Sequence, residues 1–305
     1  MANCNRDSDA PREHIERRVE ERLQPDWAQQ ALADAETRYL LSQGTAHLIR
    51  REATSDASAH IAFVNAATFA SLGLPQSRLT LLGWFERRRC VLVDLPESLH
   101  FQPPGTTYQE LRPLLEHMAE AQARLLIDAR ALLVWRARHR HCGVCGAPTE
   151  PRSAGHVLQC TSSTCGSQVF PRLDPAIIVL VTQGTRALLG RQPSWPPGRY
   201  STLAGFVEPG ESLEEAVARE VREETGARVY DVSYFSSQPW PFPASLMLGF
   251  RAQALEEPIR LDGELEEARW FERSELRSGG VLLPPPHTIA RRLLESWFAE
   301  ERAGH

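Results

Sequence analysis

Apolar positions along this chain change rhythm three times. In the first third they come as short runs, at residues 47–50, 60–64, 79–85 and 90–95, bounded by polar or turn-forming residues, a pattern that predicts strands of a small mixed domain. The charged segment Glu86-Arg87-Arg88-Arg89 between the last two reads as a hairpin turn. From residue 108 to about 137 the interval becomes helical, with Leu111, Leu114, Leu115, Met118, Leu125, Leu126, Leu132 and Leu133 predicting one or two amphipathic helices. The unbroken run 176–181 reads as a buried strand, and 187–190 as a second one after a turn at Gln183 and Gly184. Further strands are expected at 229–235, 246–252 and 267–271, followed by an amphipathic helix over 288–299. Strands interleaved with helices indicate an α/β (α+β) architecture in which helices sandwich a mixed sheet. No internal repeat is visible.

A length of 305 residues suits about two domains. The pattern divides the chain into a polar leader, 1–35, a mixed N-terminal domain, 36–137, a cysteine-bearing segment, 138–170, and an α/β domain, 171–305. With 34 Lys and Arg against 39 Asp and Glu, the net charge of −5 provides no general attraction to phosphate backbones or anionic membranes. The N-terminal segment has no apolar signal core, and no apolar run is long enough to span a bilayer. Of six cysteines, four cluster while Cys4 and Cys90 stand apart, a usage that suits a reducing, cytoplasmic compartment.

Two clusters carry candidate chemistry. Residues 205–227 read GFVEPGESLEEAVAREVREETGA, which places Arg219, Glu220, Glu223 and Glu224 at helical spacing. Three carboxylates at i, i+3 and i+4 share one face and repel, an arrangement that makes sense where hard divalent cations such as Mg²⁺ fill the gap. The bland alternative is an acidic surface helix. The second cluster, Cys142-x2-Cys145-x14-Cys160-x4-Cys165, offers four thiolates from two loops, the donor set of a closed tetrahedral Zn²⁺ site. Such a site has no open position for water, so one zinc per chain would be structural. Disulfides or plain buried thiols are the competing readings. His139, His141 and His156 flank the cluster as alternative ligands, although a surface or supporting role suits each better.

A third segment, Ser237 to Ser245, reads SQPWPFPAS. Pro239, Pro241 and Pro243 each fix φ, which stiffens the segment and displays Trp240 and Phe242 at low entropic cost. Gln238 and the serine hydroxyls add hydrogen-bonding capacity beside the rings.

These residues resemble a known family. Gly205, Glu211, Arg219, Glu220, Val221, Glu223, Glu224, Gly226 and Ala227 fill every fixed position of the Nudix box. A zinc ribbon placed before such a domain, together with SQPWPFPAS and PRLDPAIIVLV at 171–181, is similar to the NADH pyrophosphatase (NAD-capped RNA hydrolase) members, and the likeness covers roughly residues 40 to 300. The second cysteine pair encloses four residues where some members have two. The resemblance implies Mg²⁺ or Mn²⁺ held by Glu220, Glu224 and the Ala204 carbonyl, with Glu264 reaching in, Glu223 sharing the face and Arg219 orienting the carboxylates. It further implies that Gln238, Pro239, Trp240, Pro241, Phe242, Pro243, Ala244 and Ser245 form a substrate wall together with Ala290, and that Phe206 and Phe170 are aromatic candidates to stack on a base. Some members have Tyr at the position of Phe170. The implied reaction is hydrolysis of the NADH or NAD⁺ pyrophosphate to nicotinamide mononucleotide and AMP, and also removal of NAD caps from RNA, by a homodimer with shared sites. An ADP-ribose or nucleotide-sugar pyrophosphatase is the alternative enzyme, and a non-catalytic nucleotide sensor the alternative outside enzymes. A dimer interface could use the stripe Leu293, Leu294, Trp297 and Phe298, which could equally be core.

Overall fold

The computed structural model describes residues 15–51, 58–255, 258–261 and 263–303, and the chain divides into two compact units, Met1–Arg172 and Leu173–His305. Cys4 lies outside the described residues.

The first unit opens with helices α1 (Val19–Arg22) and α2 (Trp27–Ala33), then strands β1 (Arg38–Gln43), β2 (Ala46–Arg51) and β3 (Ala59–Ile61), helix α3 (Ala66–Ser71), strands β4 (Leu79–Phe85), β5 (Arg88–Leu95) and β6 (Thr106–Glu110), and helices α4 (Leu111–Leu114) and α5 (Glu120–Arg138). Its sheet runs β3-β2-β1-β5-β4, with β6 on β2. Trp27, Ala31, Phe69, Tyr39 and Leu41 share one core, in which the Tyr39 and Phe69 rings stack at 4.4 Å. This corrects the expected leader, because residues 15–35 belong to the domain. Glu16 exchanges backbone hydrogen bonds with Trp84 at 2.9 and 2.8 Å, and a Cβ at Gly83 would overlap the Glu16 carbonyl. Two further expectations change. Tyr108 stands on a strand, not a helix, and the hairpin turn narrows to Glu86 and Arg87, both at positive φ.

The cysteine segment belongs to the same unit. Strands β7 (Thr149–Arg152), β8 (Val157–Cys160) and β9 (Gln168–Val169) form a small antiparallel sheet. Its inner turn is fastened to β4, where His156 Nε2 donates to the Leu81 carbonyl at 2.7 Å. Gly155, at φ 90°, packs so closely on Thr80 that a side chain would overlap it.

The second unit contains β10 (Asp174–Gln183), β11 (Arg186–Arg191), β12 (Leu203–Phe206), α6 (Leu213–Thr225), β13 (Val229–Trp240), β14 (Ser245–Ala254), β15 (Glu267–Glu272), α7 (Arg273–Arg277) and α8 (Ile289–Ala303). The sheet order is β13-β14-β10-β11-β15, with β12 on β10. Alternation along β10 explains its unbroken apolar run. Ile177, Val179 and Val181 pack with Ala216, Val217 and Val221 of α6, whereas Ile178 and Leu180 pack with Leu293, Leu294 and Trp297 of α8. The candidate dimer stripe on α8 is therefore largely spent on this core; only Phe298 is partly buried.

The two units repeat one topology, contrary to the sequence reading. Each has an antiparallel hairpin (β1–β2, β10–β11) and a second one (β4–β5, β13–β14) whose last strand lies parallel to the first strand of the unit. In each, a later strand (β6, β15) pairs antiparallel with the second strand of the first hairpin. Helix α3 occupies the place of α6 in this order, but its sequence AATFAS has no carboxylate.

Two histidines of the first unit, buried His47 and half-buried His156, make its stability depend on pH. His47, whose Nδ1 lies 2.8 Å from Ser42 Oγ, is held down to about 3 by desolvation and then by the Arg130 charge. Desolvation likewise lowers His156 to about 4, despite its Leu81 bond. Above the ordinary value of 6.5 both are neutral whether folded or unfolded. Below it the unfolded chain binds protons that the folded chain refuses, so stability is full above 6.5 and is lost as pH falls toward 4 and then 3. Denaturant melts at pH 7.5 and 5 should show this loss, and His47→Leu should reduce its slope; an unchanged slope would remove His47 as the cause.

Candidate active site and zinc centre

At the cysteine centre two tight turns aim the thiols inward. Gly146 and Gly166, at φ 75° and 60°, close them, and the Gly146 N–H bonds the Cys142 carbonyl at 2.9 Å. The Sγ atoms of Cys142, Cys145, Cys160 and Cys165 all lie within 4.8 Å of one another, with Cys142–Cys165 at 3.8 Å and Cys145–Cys160 at 3.4 Å. A tetrahedron with Zn–S bonds of about 2.3 Å has S–S edges of about 3.8 Å, so the four thiols fit a zinc ion. Backbone N–H groups of Cys145 and Val144 hold the Cys142 thiol down to about 6, whereas Cys160 and Cys165 are raised, Cys160 to about 12. Neither His139 nor His156 is a ligand here. His139 Nδ1 lies 2.7 Å from the Trp135 carbonyl, and His156 serves β4.

In the second unit the sequence fixes both ends of α6. Ser212 Oγ accepts from the Glu215 N–H at 3.3 Å while Glu215 returns a bond to the Ser212 N–H at 2.8 Å, a reciprocal cap. Gly226 ends the helix at φ 72°, its N–H bonding the Arg222 carbonyl at 2.8 Å. Between these stops the helix turns Ala216, Val217 and Val221 into the core and buries Glu224 beside them, and on the adjoining face Arg219 and Glu220 are half-buried and Glu223 is exposed.

Arg219 organises that face. Its Nε and Nη2 grip Glu211 at 2.5 and 3.0 Å, Nη1 donates to Glu220 at 3.0 Å and to Glu223 at 2.9 Å, and Nη2 also reaches the Phe206 carbonyl at 2.9 Å. Glu211 is pulled below the usual carboxylate range by this guanidinium and by the Glu208 N–H. Glu220 moves the other way. Desolvation raises it, the Glu223 and Glu264 charges add to the rise, and Arg219 offsets only part. Glu264 is therefore within electrostatic reach of Glu220. Glu224 is 6 % exposed, a costly place for a carboxylate unless a cation or hydrogen bonds compensate it. A Cβ at Gly205 would overlap the Glu220 carboxylate, so glycine there lets the acid lie against β12, next to Ala204. Sequence reasoning gave Glu211 no role beyond its box position. Its task as the anchor of Arg219 depends on the 208–212 turn.

The segment 237–245 is a hairpin tip, not a free loop. Ser237 to Trp240 end β13 and Ser245 begins β14, with Trp240 paired to Ser245. Because β13 is an edge strand, Pro239 costs no interior ladder bond. Trp240 and Phe242 meet edge to face at 5.0 Å. Pro241 and Ser245 are buried, whereas Pro239 and Pro243 are exposed. Gln238 is engaged with α8, its amide bonding the His287 carbonyl and the Ile289 N–H, each at 2.7 Å. The Ala290 side chain lies in the core at 5 % exposure, which leaves only its backbone for a ligand. Phe206 is 58 % exposed on β12. Phe170, equally exposed, lies in the first unit.

Comparison with known proteins agrees with this geometry. Residues 172–298 match the NUDIX domain, 137–170 the NADH pyrophosphatase zinc ribbon domain, and 27–135 the NADH pyrophosphatase-like rudimentary NUDIX domain. A protein of Stutzerimonas stutzeri (strain A1501) named NAD-capped RNA hydrolase NudC is 44 % identical over 221 residues, covering 72 % of this chain and 76 % of that one. A Pseudomonas aeruginosa (strain LESB58) protein of the same name is 39 % identical over 241 residues, or 77 % and 84 % of the two chains. The Homo sapiens NAD-capped RNA hydrolase NUDT12 is 39 % identical over 202 residues, 61 % of this chain but only 44 % of that longer protein. Among the described residues no helix is long and apolar enough to cross a membrane.

Metal analysis of purified protein should find about one zinc per chain, and a strong chelator should lower the melting temperature before it slows any chemistry. Zinc-free protein with paired, oxidised cysteines would overturn the centre.

Proposed function

Because the chain belongs to the Nudix hydrolases that carry an NADH pyrophosphatase zinc ribbon, we propose that it hydrolyses the pyrophosphate of NADH or NAD⁺. The products are nicotinamide mononucleotide and AMP, and the same bond is cut where the dinucleotide caps an RNA. The observation that carries this reading is the presence, in one unit, of carboxylates ordered by Arg219 and the stiff aromatic hairpin 237–245.

Glu220, Glu224 and the Ala204 carbonyl would hold Mg²⁺ or Mn²⁺, with Glu223 and Glu264 contributing charge. Such cations supply neutralisation of the pyrophosphate and activation of the attacking water. The chain's own work is positional. Arg219 sets the directions of Glu220 and Glu223, and Glu211 keeps Arg219 from turning away. Trp240, Phe242 and Phe206 present ring faces suited to a nicotinamide or adenine. Water adds to one phosphorus as the bond from that phosphorus to the bridging oxygen breaks, leaving two monophosphates. A nucleotide sensor would have no use for the acids kept together here. We read the active form as a cytoplasmic homodimer. Its interface lies outside the buried α8 stripe, and thiolate ligands for zinc suit a reducing compartment.

The test is a kcat/KM panel on NADH, NAD⁺, ADP-ribose and NAD-capped RNA with Mg²⁺ and Mn²⁺. NADH and capped RNA should be preferred over ADP-ribose. Glu224→Gln should lower kcat on the order of 10²-fold or more while the fold persists. Trp240→Ala with Phe242→Ala should raise KM for NADH roughly 10- to 100-fold, the range expected for lost base stacking. Wild-type turnover by folded Glu224→Gln, or preference for ADP-ribose, would refute the reading.

A further inference from the structure

Gln238 sits among residues that the family resemblance assigns to the substrate, yet its side chain is turned to the protein. The amide Nε2 donates to the His287 carbonyl and Oε1 accepts from the Ile289 N–H, both at 2.7 Å. These two backbone groups, two residues apart at the start of α8, receive from one planar amide what a neighbouring strand would give them. A side-chain amide carries a donor and an acceptor on one rigid plane at every pH. A carboxylate offers acceptors alone, and a leucine neither.

Other contacts hold the same junction. Arg292 Nη2 donates to the Ser237 carbonyl at 3.3 Å. Ile289 lies over Gly249 of β14, where a Cβ would come within 2.7 Å of Ile289 Cδ1. Thr288 Oγ1 accepts from the Arg291 N–H at 3.3 Å and donates to the Pro285 carbonyl at 2.7 Å. The first N–H groups of α8 are thus partly occupied from within. Trp240 and Phe242 lie two and four residues beyond Gln238 on the hairpin, and Ala290 directly follows Ile289 on the helix.

We propose that Gln238 is a positioning residue. It latches the hairpin to the start of α8, so that the rings of Trp240 and Phe242 and the backbone at Ala290 present one preformed wall to the dinucleotide. This rests on the reading of the hairpin as a substrate wall, but the latch is a property of the ligand-free protein and is measurable without substrate.

The experiment compares wild type, Gln238→Leu and Gln238→Glu by amide hydrogen exchange at Ile289 and by NADH kinetics. In ligand-free Gln238→Leu the Ile289 amide should exchange roughly tenfold faster, the size of one lost hydrogen bond, while amides in the core of β10 are unaffected. At neutral pH, Gln238→Glu keeps an acceptor for Ile289 but sets a negative charge against the His287 carbonyl. KM for NADH should then rise roughly tenfold with kcat within about twofold of wild type, because the cation site is untouched. When pH is lowered until that carboxyl takes a proton, it regains a donor and an acceptor. Ile289 protection relative to wild type should then recover in Gln238→Glu but not in Gln238→Leu. Unchanged Ile289 exchange in Gln238→Leu would overturn the latch, as would weakened NADH binding with Ile289 fully protected, the mark of a direct ligand contact. If Ile289 responds as expected but NADH is no substrate, the latch stands and the substrate reading fails.

Discussion

The guanidinium of Arg219 is the fixed point of the catalytic unit. One side chain ties the 208–212 turn, through Glu211, to the box helix, through Glu220 and Glu223, and to β12, through the Phe206 carbonyl. The carboxylates around it would otherwise spread apart. A single cation stands among several acids, and Glu220 is raised chiefly by its burial, with the Glu223 and Glu264 charges adding to the rise. Further positive charge from divalent cations would relieve that crowding, which is why an acidic face beside a side-chain-free glycine reads as a cation site and not as a solvated helix.

The duplicated topology shows how little of this the fold itself supplies. Two units share hairpins, a parallel central pair and helices in matching order, yet α3 has neither an arginine nor a carboxylate where α6 has its box. The zinc ribbon is tied to the first unit through His156 and Gly155, so a metal held there would stabilise the part without the box chemistry.

What the sequence made legible follows from where the determining interactions lie. The strands β4, β10 and β14 were readable because burial on their faces leaves an apolar run or alternation in the residues themselves. The box helix has both ends encoded locally, by Ser212 with Glu215 and by Gly226. Strand β1 was missed: Arg38-Tyr39-Leu40-Leu41-Ser42-Gln43 is short and polar-ended, and its central place comes from pairing with β5 far along the chain. The leader misled for a similar reason, since Trp27 and Ala31 sit at helical spacing but are sparse among charges. The repeat was invisible because topology survives where side chains do not. Gln238 could not be placed at all, since a glutamine beside aromatics looks the same whether it faces a ligand or a helix start 49 residues away.

Gly205 allows the cation site to be tested apart from turnover. Its φ is not in the left-handed region, and the three atoms nearest an alanine Cβ there all belong to the Glu220 carboxylate. Titration of Mn²⁺ by electron paramagnetic resonance into wild type and Gly205→Ala, with zinc content and circular dichroism as controls for folding, measures that space directly. Mn²⁺ affinity is expected to fall on the order of tenfold or more in Gly205→Ala, in line with the cost of overpacking, with zinc and fold retained. Wild-type Mn²⁺ affinity in a folded Gly205→Ala protein would contradict the placement of the cation at Glu220.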